Sequence, residues 1–114
     1  MAATIARIAV EWKPASVENV RQLVHDGLAK CDQKQAVVFE AYRVEPRLVP
    51  IVRYGKLENV VVIAQKGNQV IYWEDVEEGF GVSPVGTDGQ ILQQDCNQND
   101  LGLALNAWIE ERKV

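Results

Sequence analysis

The sequence predicts a single α+β domain built on an antiparallel β-meander of four to six strands. A helix at about residues 16–30 precedes most of the meander, a second at about 98–112 closes the chain, and both pack on one face of the sheet. Three observations carry this. Apolar runs separated by turn dipeptides recur through the middle of the chain, the signature of hairpin-connected strands. Each of the two outlying segments shows an apolar stripe at helical spacing behind a capping residue. The chain has 114 residues, 47% hydrophobic and 25% charged. One core can serve that length without metals or disulfides, so residues 1–114 read as one domain.

Residues 4–12 come first. Ala6, Ile8, Val10 and Trp12 alternate with Arg7 and Glu11, as in a half-buried strand, although Ile5, Ile8 and Trp12 would also share a helix face. Pro14 ends either element. Ser16 then stands as an N-cap, and Val17, Val20, Val24 and Leu28 line one side of the helix that follows, with Leu23 beside them. Gly27 weakens this helix by about 1 kcal/mol relative to alanine. The stretch AVVFEAYRV, residues 36–44, is rich in β-branched and aromatic residues and reads as a strand, with a short helix as the alternative. Pro46 and Pro50 follow, so a strand running on to Tyr54 belongs at a sheet edge or carries a bulge.

The plainest element is a hairpin. VVVIAQ leads through Gly67-Asn68 into VIYWED, and a two-residue primed turn sets the register. That register pairs Gln65 with Val70, Ile63 with Tyr72 and Val61 with Glu74. Both faces of this pair are apolar at their centres, whereas a strand pair wet on one side alternates. One face is therefore expected under helices and the other under a further cover. Val61, Ile63 and Tyr72 are the residues this register offers for self-association. A second hairpin follows: FGVSPV, the turn Gly86-Thr87-Asp88-Gly89, then QILQQD. Asn97 or Asn99 caps the last helix, whose stripe is Leu101, Leu105, Trp108 and Ile109.

Charge is unevenly laid out. The net charge is −4, which argues against nonspecific nucleic-acid binding. Residues 1–66 hold ten bases and seven acids, about +3; residues 67–114 hold nine acids against Arg112 and Lys113, about −7. No base occurs from Gly67 to Glu111. Within that acidic half, Trp73, Glu74, Asp75, Glu77, Glu78 and Phe80 place aromatic anchors among carboxylates. This is a pattern suited to docking a basic partner protein, as an alternative to a solvated turn.

Signatures of chemistry are absent or broken. Asp95, Asn97 and Asn99 match the first ligand positions of a calcium-binding helix–loop–helix. Asp100 then stands where glycine is needed and Asn106 where a bidentate glutamate is needed, so the segment reads as a capped strand-to-helix turn. The lone His25 is not joined by the further histidines of a zinc site. Gly79-Phe80-Gly81 is followed by Pro84 where a dinucleotide fingerprint needs its third glycine. Tyr42, Arg43, Arg47, Arg53, Tyr54 and Lys56 mix bases with aromatics, but Glu45 interrupts them, and a solvated sheet rim explains them equally. No catalytic residue, metal ligand or cofactor is assigned.

The N-terminal stretch does not read as a signal peptide, because Arg7 interrupts its apolar run. No window approaches the roughly 18 apolar residues of a membrane span. Cys31 and Cys96 read as free thiols, and the expected location is cytoplasmic. In size, acidity and lack of motif the chain resembles the small orphan α+β proteins carried on bacterial mobile elements, among them gene-cassette products and toxin-immunity proteins. The likeness is one of style over the whole chain and carries over no residue. The expectation is a non-enzymatic interaction module that self-associates as a homo-oligomer and shows an acidic surface to a basic partner. One alternative is a small-ligand module whose pocket is lined by Trp12, Phe39, Tyr72 or Trp73. The other is an enzyme using Asp95, Cys96 or His25.

Overall fold

The structure, a computed structural model, describes residues 15–94 and 99–110. The strand expected at 4–12 lies outside them, as do Asp95, Cys96 and Asn97. Three helices and four strands follow in the order α1 (Val17–Leu28), α2 (Gln33–Tyr42), β1 (Arg43–Arg53), β2 (Lys56–Lys66), β3 (Gln69–Glu74), β4 (Gly79–Pro84) and α3 (Leu101–Glu110). The strands form one antiparallel sheet in sequence order, the expected meander. The α+β architecture with helices against the sheet is as the sequence predicts. None of the described helices is long and apolar enough to cross a membrane.

Helix α1 starts where Ser16 accepts the Asn19 amide at 3.1 Å and Asn19 returns a bond to the Ser16 amide. This reciprocal capping satisfies two otherwise orphaned donors. Gly27 has a packing reason: a Cβ there would stand 3.0 Å from the Cβ of Leu101, so the glycine lets α3 close onto α1. Residues 36–44, expected as a strand, are mostly helix. Asp32 and Gln35 form a second capping box, each side chain bonded to the other's amide at 2.8 Å. That local nucleus outweighs the weak β preference of AVVF, which is a matter of packing more than of backbone. Gln35 then reaches on to the Gly102 carbonyl and to Asn106, tying α2 to α3. Helix α3 is capped by Asp100, which accepts the Leu103 amide at 2.8 Å, and not by Asn99.

The sheet has two apolar sides. On one, Val61, Ile63, Ala64, Ile71 and Phe80 pack beneath Val20, Phe39, Leu101, Leu105 and Trp108 of the helices. Trp108 is fully buried, meets Tyr42 edge to face at 5.5 Å and donates to Gln69 at 2.9 Å. On the other side lie Val49, Ile51, Val60, Val62, Val70, Tyr72 and Ile91.

The β2–β3 register departs from the expected one. Gln65 pairs with Val70 and Ala64 with Ile71, but Val62 then pairs with Tyr72 and Val61 with Trp73. Ile63 is the extra residue of a β-bulge. The bulge turns Ile63 and Ala64 both toward the helices and corrects the pairs Ile63–Tyr72 and Val61–Glu74. It also separates the three residues offered for self-association: Val61 and Ile63 lie under the helices, and Tyr72 on the opposite side.

The second hairpin is half formed. Asp88-Gly89 makes its turn, with Gly89 at φ +86° and the Gln90 amide bonded to Asp88 at 3.0 Å. Its return arm shrinks to one residue. Ile91 bridges Val85 on one side and Ile51 on the other, and its amide donates to the Pro50 carbonyl at 2.9 Å. The two edge strands, β1 and β4, are thus joined through Ile91. The second apolar side is covered within the chain where Ile91 crosses it.

Replacing buried Leu105 by alanine is expected to cost about 2–5 kcal/mol, whereas Leu103→Ala, 56% exposed on the same helix, stays within about 0.5 kcal/mol. Urea unfolding followed by circular dichroism measures both.

Candidate functional site

Strands β1 and β2 meet at a two-residue turn, Tyr54-Gly55, in which both residues are left-handed, φ 52° and 76°. This is the primed geometry that matches strand twist. It pairs Arg53 with Lys56 and leaves Arg53 and Glu58 as diagonal neighbours on one face. Alternation carries the same face along β1 through Val49 and Ile51 to Arg53, and along β3 through Val70 and Tyr72 to Glu74. Antiparallel order brings the ends of β1 and β3 to the same end of the sheet. A guanidinium and several carboxylates therefore converge beyond the apolar cluster.

Arg53 is enclosed, its side chain showing no exposed surface. Its Nη1 pairs with Glu74 Oε2, Nη2 bonds Asp75 Oδ1 at 2.9 Å and Glu58 Oε1 at 2.7 Å, and Nε bonds Glu58 at 2.9 Å. Glu74, also without exposed surface, accepts the Tyr72 hydroxyl on Oε1 at 3.0 Å and the Val76 amide on Oε2 at 3.2 Å. Asp75 is 8% exposed. Opposite β3, the residues of β4 on this side are Gly79, Gly81 and Ser83. Two of them are glycines, Gly79 paired with Glu74 and Gly81 with Tyr72.

Three carboxylates face one guanidinium. Burial pushes the Glu74 carboxyl above its usual range, against the pull of Arg53 and of the Tyr72 and Val76 hydrogen bonds. Burial works against the Arg53 charge, but the bonds to Asp75 and Glu58 and the fields of Glu74 and Asp75 outweigh it and hold the guanidinium above its ordinary value. Glu74 spends three of its roughly four acceptor sites on Arg53, Tyr72 and Val76. The cluster is arranged as a clasp between the β1–β2 hairpin and the β3–β4 turn.

The residues expected to form an acidic docking surface are thereby divided. Glu74 and Asp75 face inward to Arg53. Glu77 is half-buried and Glu78 exposed in the turn, Glu78 at φ 57°. Trp73 and Phe80 stack edge to face at 5.0 Å on the helix side of the sheet. Phe39 lies in that same core and Tyr72 across the sheet from it, so the two do not line one pocket. His25 is exposed on α1, 3.5 Å from Asp26. Cys31 is half-buried, its thiol pushed up by burial and by the nearby charges of Asp100 and Asp32. Among the described residues no group of three or more histidine, cysteine, aspartate or glutamate side chains is placed to hold a metal ion.

Sequence reasoning missed Glu58 and placed Arg53 on a solvated sheet rim, whereas it is buried. The signal was present: Ile51-x-Arg53, Glu58-x-Val60 and Tyr72-x-Glu74 each set a charge on the buried phase of a strand, and Tyr-Gly marks the turn that aligns the first two. Compared with protein-family models, curated proteins and solved structures, the chain matches none.

Removing Arg53 leaves Glu74 buried without its cation, so Arg53→Met is expected to lose about 3–5 kcal/mol in urea unfolding at neutral pH. A second prediction concerns acid. Glu74 binds its proton more tightly folded than unfolded, so its contribution to stability grows as pH falls toward the ordinary carboxylate range and is lost as pH rises. Wild type should therefore gain stability relative to Glu74→Gln between neutral pH and about pH 4.5, read from paired urea titrations.

Proposed function

We propose that this protein is a non-enzymatic interaction module that self-associates. The observation that supports the reading is an apolar surface the described helices do not reach. On the helix side of the sheet, cover extends over Val61 and Ile63 but not over the end of the β1–β2 hairpin. Leu48, Val52 and Leu57 on that side, and Tyr54 at the turn, are each more than half exposed. Scattered surface leucines are ordinary, but adjacent ones on a flat strand pair mark a contact surface. The clasp around Arg53 supports the same reading from the opposite side: it holds this hairpin to the β3–β4 turn, so the surface is presented on a rigid support.

The part of the reading that concerns a basic partner is reduced. With Glu74 and Asp75 engaged by Arg53, only Glu77 and Glu78 remain in the turn to meet positive charge. An apolar contact is the stronger basis for association here, and it persists in salt, which screens exposed charges within about 10 Å at 0.1 M.

Size-exclusion chromatography with light scattering, at low and high salt, tests the proposal. The expected result is a dimer or higher oligomer whose mass is unchanged by salt. A monomer at all concentrations overturns it.

A further inference from the structure

We infer that the apolar face of the β1–β2 hairpin, which no described helix covers, is a two-fold contact between copies of this chain. The inference rests on the self-association proposed above and names its surface. Leu48, Pro50 and Val52 succeed one another on the helix side of β1. The β-ladder sets Leu48 beside Val61, Pro50 beside Asn59 and Val52 beside Leu57. Val61 is under the helices; the next two rows are not. Leu48 is 56% exposed, Val52 53%, Leu57 71% and Tyr54 77%.

Area favours a specific contact. With these exposures the patch offers on the order of 500 Å² per copy, at the upper end of what single patches on monomers reach. Two copies would bury roughly 1,000 Å², about the minimum for a specific protein interface. Charge does not oppose a second copy as the occupant. The chain carries a net charge of −4, so two copies repel in general, but none of these patch residues is charged. Like surfaces can meet there without opposing charges.

Shape and polarity point the same way. A two-fold contact needs a surface complementary to itself. A sheet face of given twist finds a matching shape in another of the same twist, and sheets stack face to face about 10 Å apart. Besides the Tyr54 hydroxyl at the turn, Asn59 is the polar side chain of the patch, exposed and without a side-chain hydrogen bond among the described residues. An amide both donates and accepts, so Asn59 can bond its own symmetry mate. Association through the edge of β1 is hindered instead. Pro46 and Pro50 offer no N–H, and the Pro50 carbonyl is taken by Ile91.

The test is a charge exchange read by light scattering. Val52→Lys with Leu57→Lys, and separately Val52→Glu with Leu57→Glu, are expected to halve the mass of a dimer. The two variants mixed one to one are expected to restore it. Circular dichroism checks that each variant folds, as exposed positions allow, and Leu103→Lys on α3 should leave the mass unchanged. Lysine and glutamate variants that each remain as oligomeric as wild type overturn this surface while leaving self-association standing. A monomeric wild type overturns the self-association itself.

Discussion

A guanidinium that has left water must find its partners inside the protein, and this requirement organises one end of the molecule. Arg53 is satisfied by Glu58 from its own hairpin and by Glu74 and Asp75 from the end of β3. For those groups to meet, β1 must turn at Tyr54-Gly55 and not one residue earlier or later. A shift by one position would rotate Arg53 to the opposite face of the sheet. β3 must likewise reach Glu74 before the chain turns. The net stabilisation from such a buried group of charges is small or even unfavourable against an apolar replacement. Its effect lies in the asymmetry: with one partner missing, the rest are stranded in a low dielectric. The clasp is therefore better understood as an arrangement that excludes other registers than as a source of stability.

The rest of the sheet is organised by a different constraint, that of filling two sides from one set of strands. β2 carries Val60, Val61, Val62, Ile63 and Ala64 in succession, all buried. Strict alternation would send Ile63 and Ala64 to opposite sides. The bulge at Ile63 gives both to the helices and leaves Val60 and Val62 to the other side, where they meet Tyr72 and Ile91. Ile91 completes that side by spanning from β4 to β1. Bulges sharpen local twist, in keeping with a sheet whose two edge strands are linked through a single residue.

These two constraints together leave the hairpin in an unusual position. One of its faces is closed by charge, with Arg53 and Glu58 turned inward. The other extends beyond the described helices, with Leu48, Val52 and Leu57 each more than half exposed. A two-stranded ribbon alone is marginally stable in water. Here the clasp anchors it from one side, so the other face need not be buried within the chain for the hairpin to hold its form. This is the physical link between the buried ion cluster and the proposed contact between copies.

Composition, turn dipeptides and apolar spacing were enough to determine an α+β domain, the meander, the two outlying helices and the Gln65–Val70 start of the central hairpin. Those features depend on local rules: Ser16 caps, Gly67-Asn68 turns, and valines repeat on one stripe. Helix α2 was also locally encoded, in Asp32 and Gln35, but β-branched composition masked it. What only the tertiary structure decided depends on distant partners. Glu74 and Asp75 look like a wet turn in sequence because no base occurs from Gly67 to Glu111. Their cation arrives from β1 only when the meander has folded. The bulge at Ile63 answers to the volume between sheet and helices, a quantity no stretch of β2 contains. And the exposure of Leu48, Val52 and Leu57 depends on where the described helices stop, which no local pattern in β1 or β2 encodes.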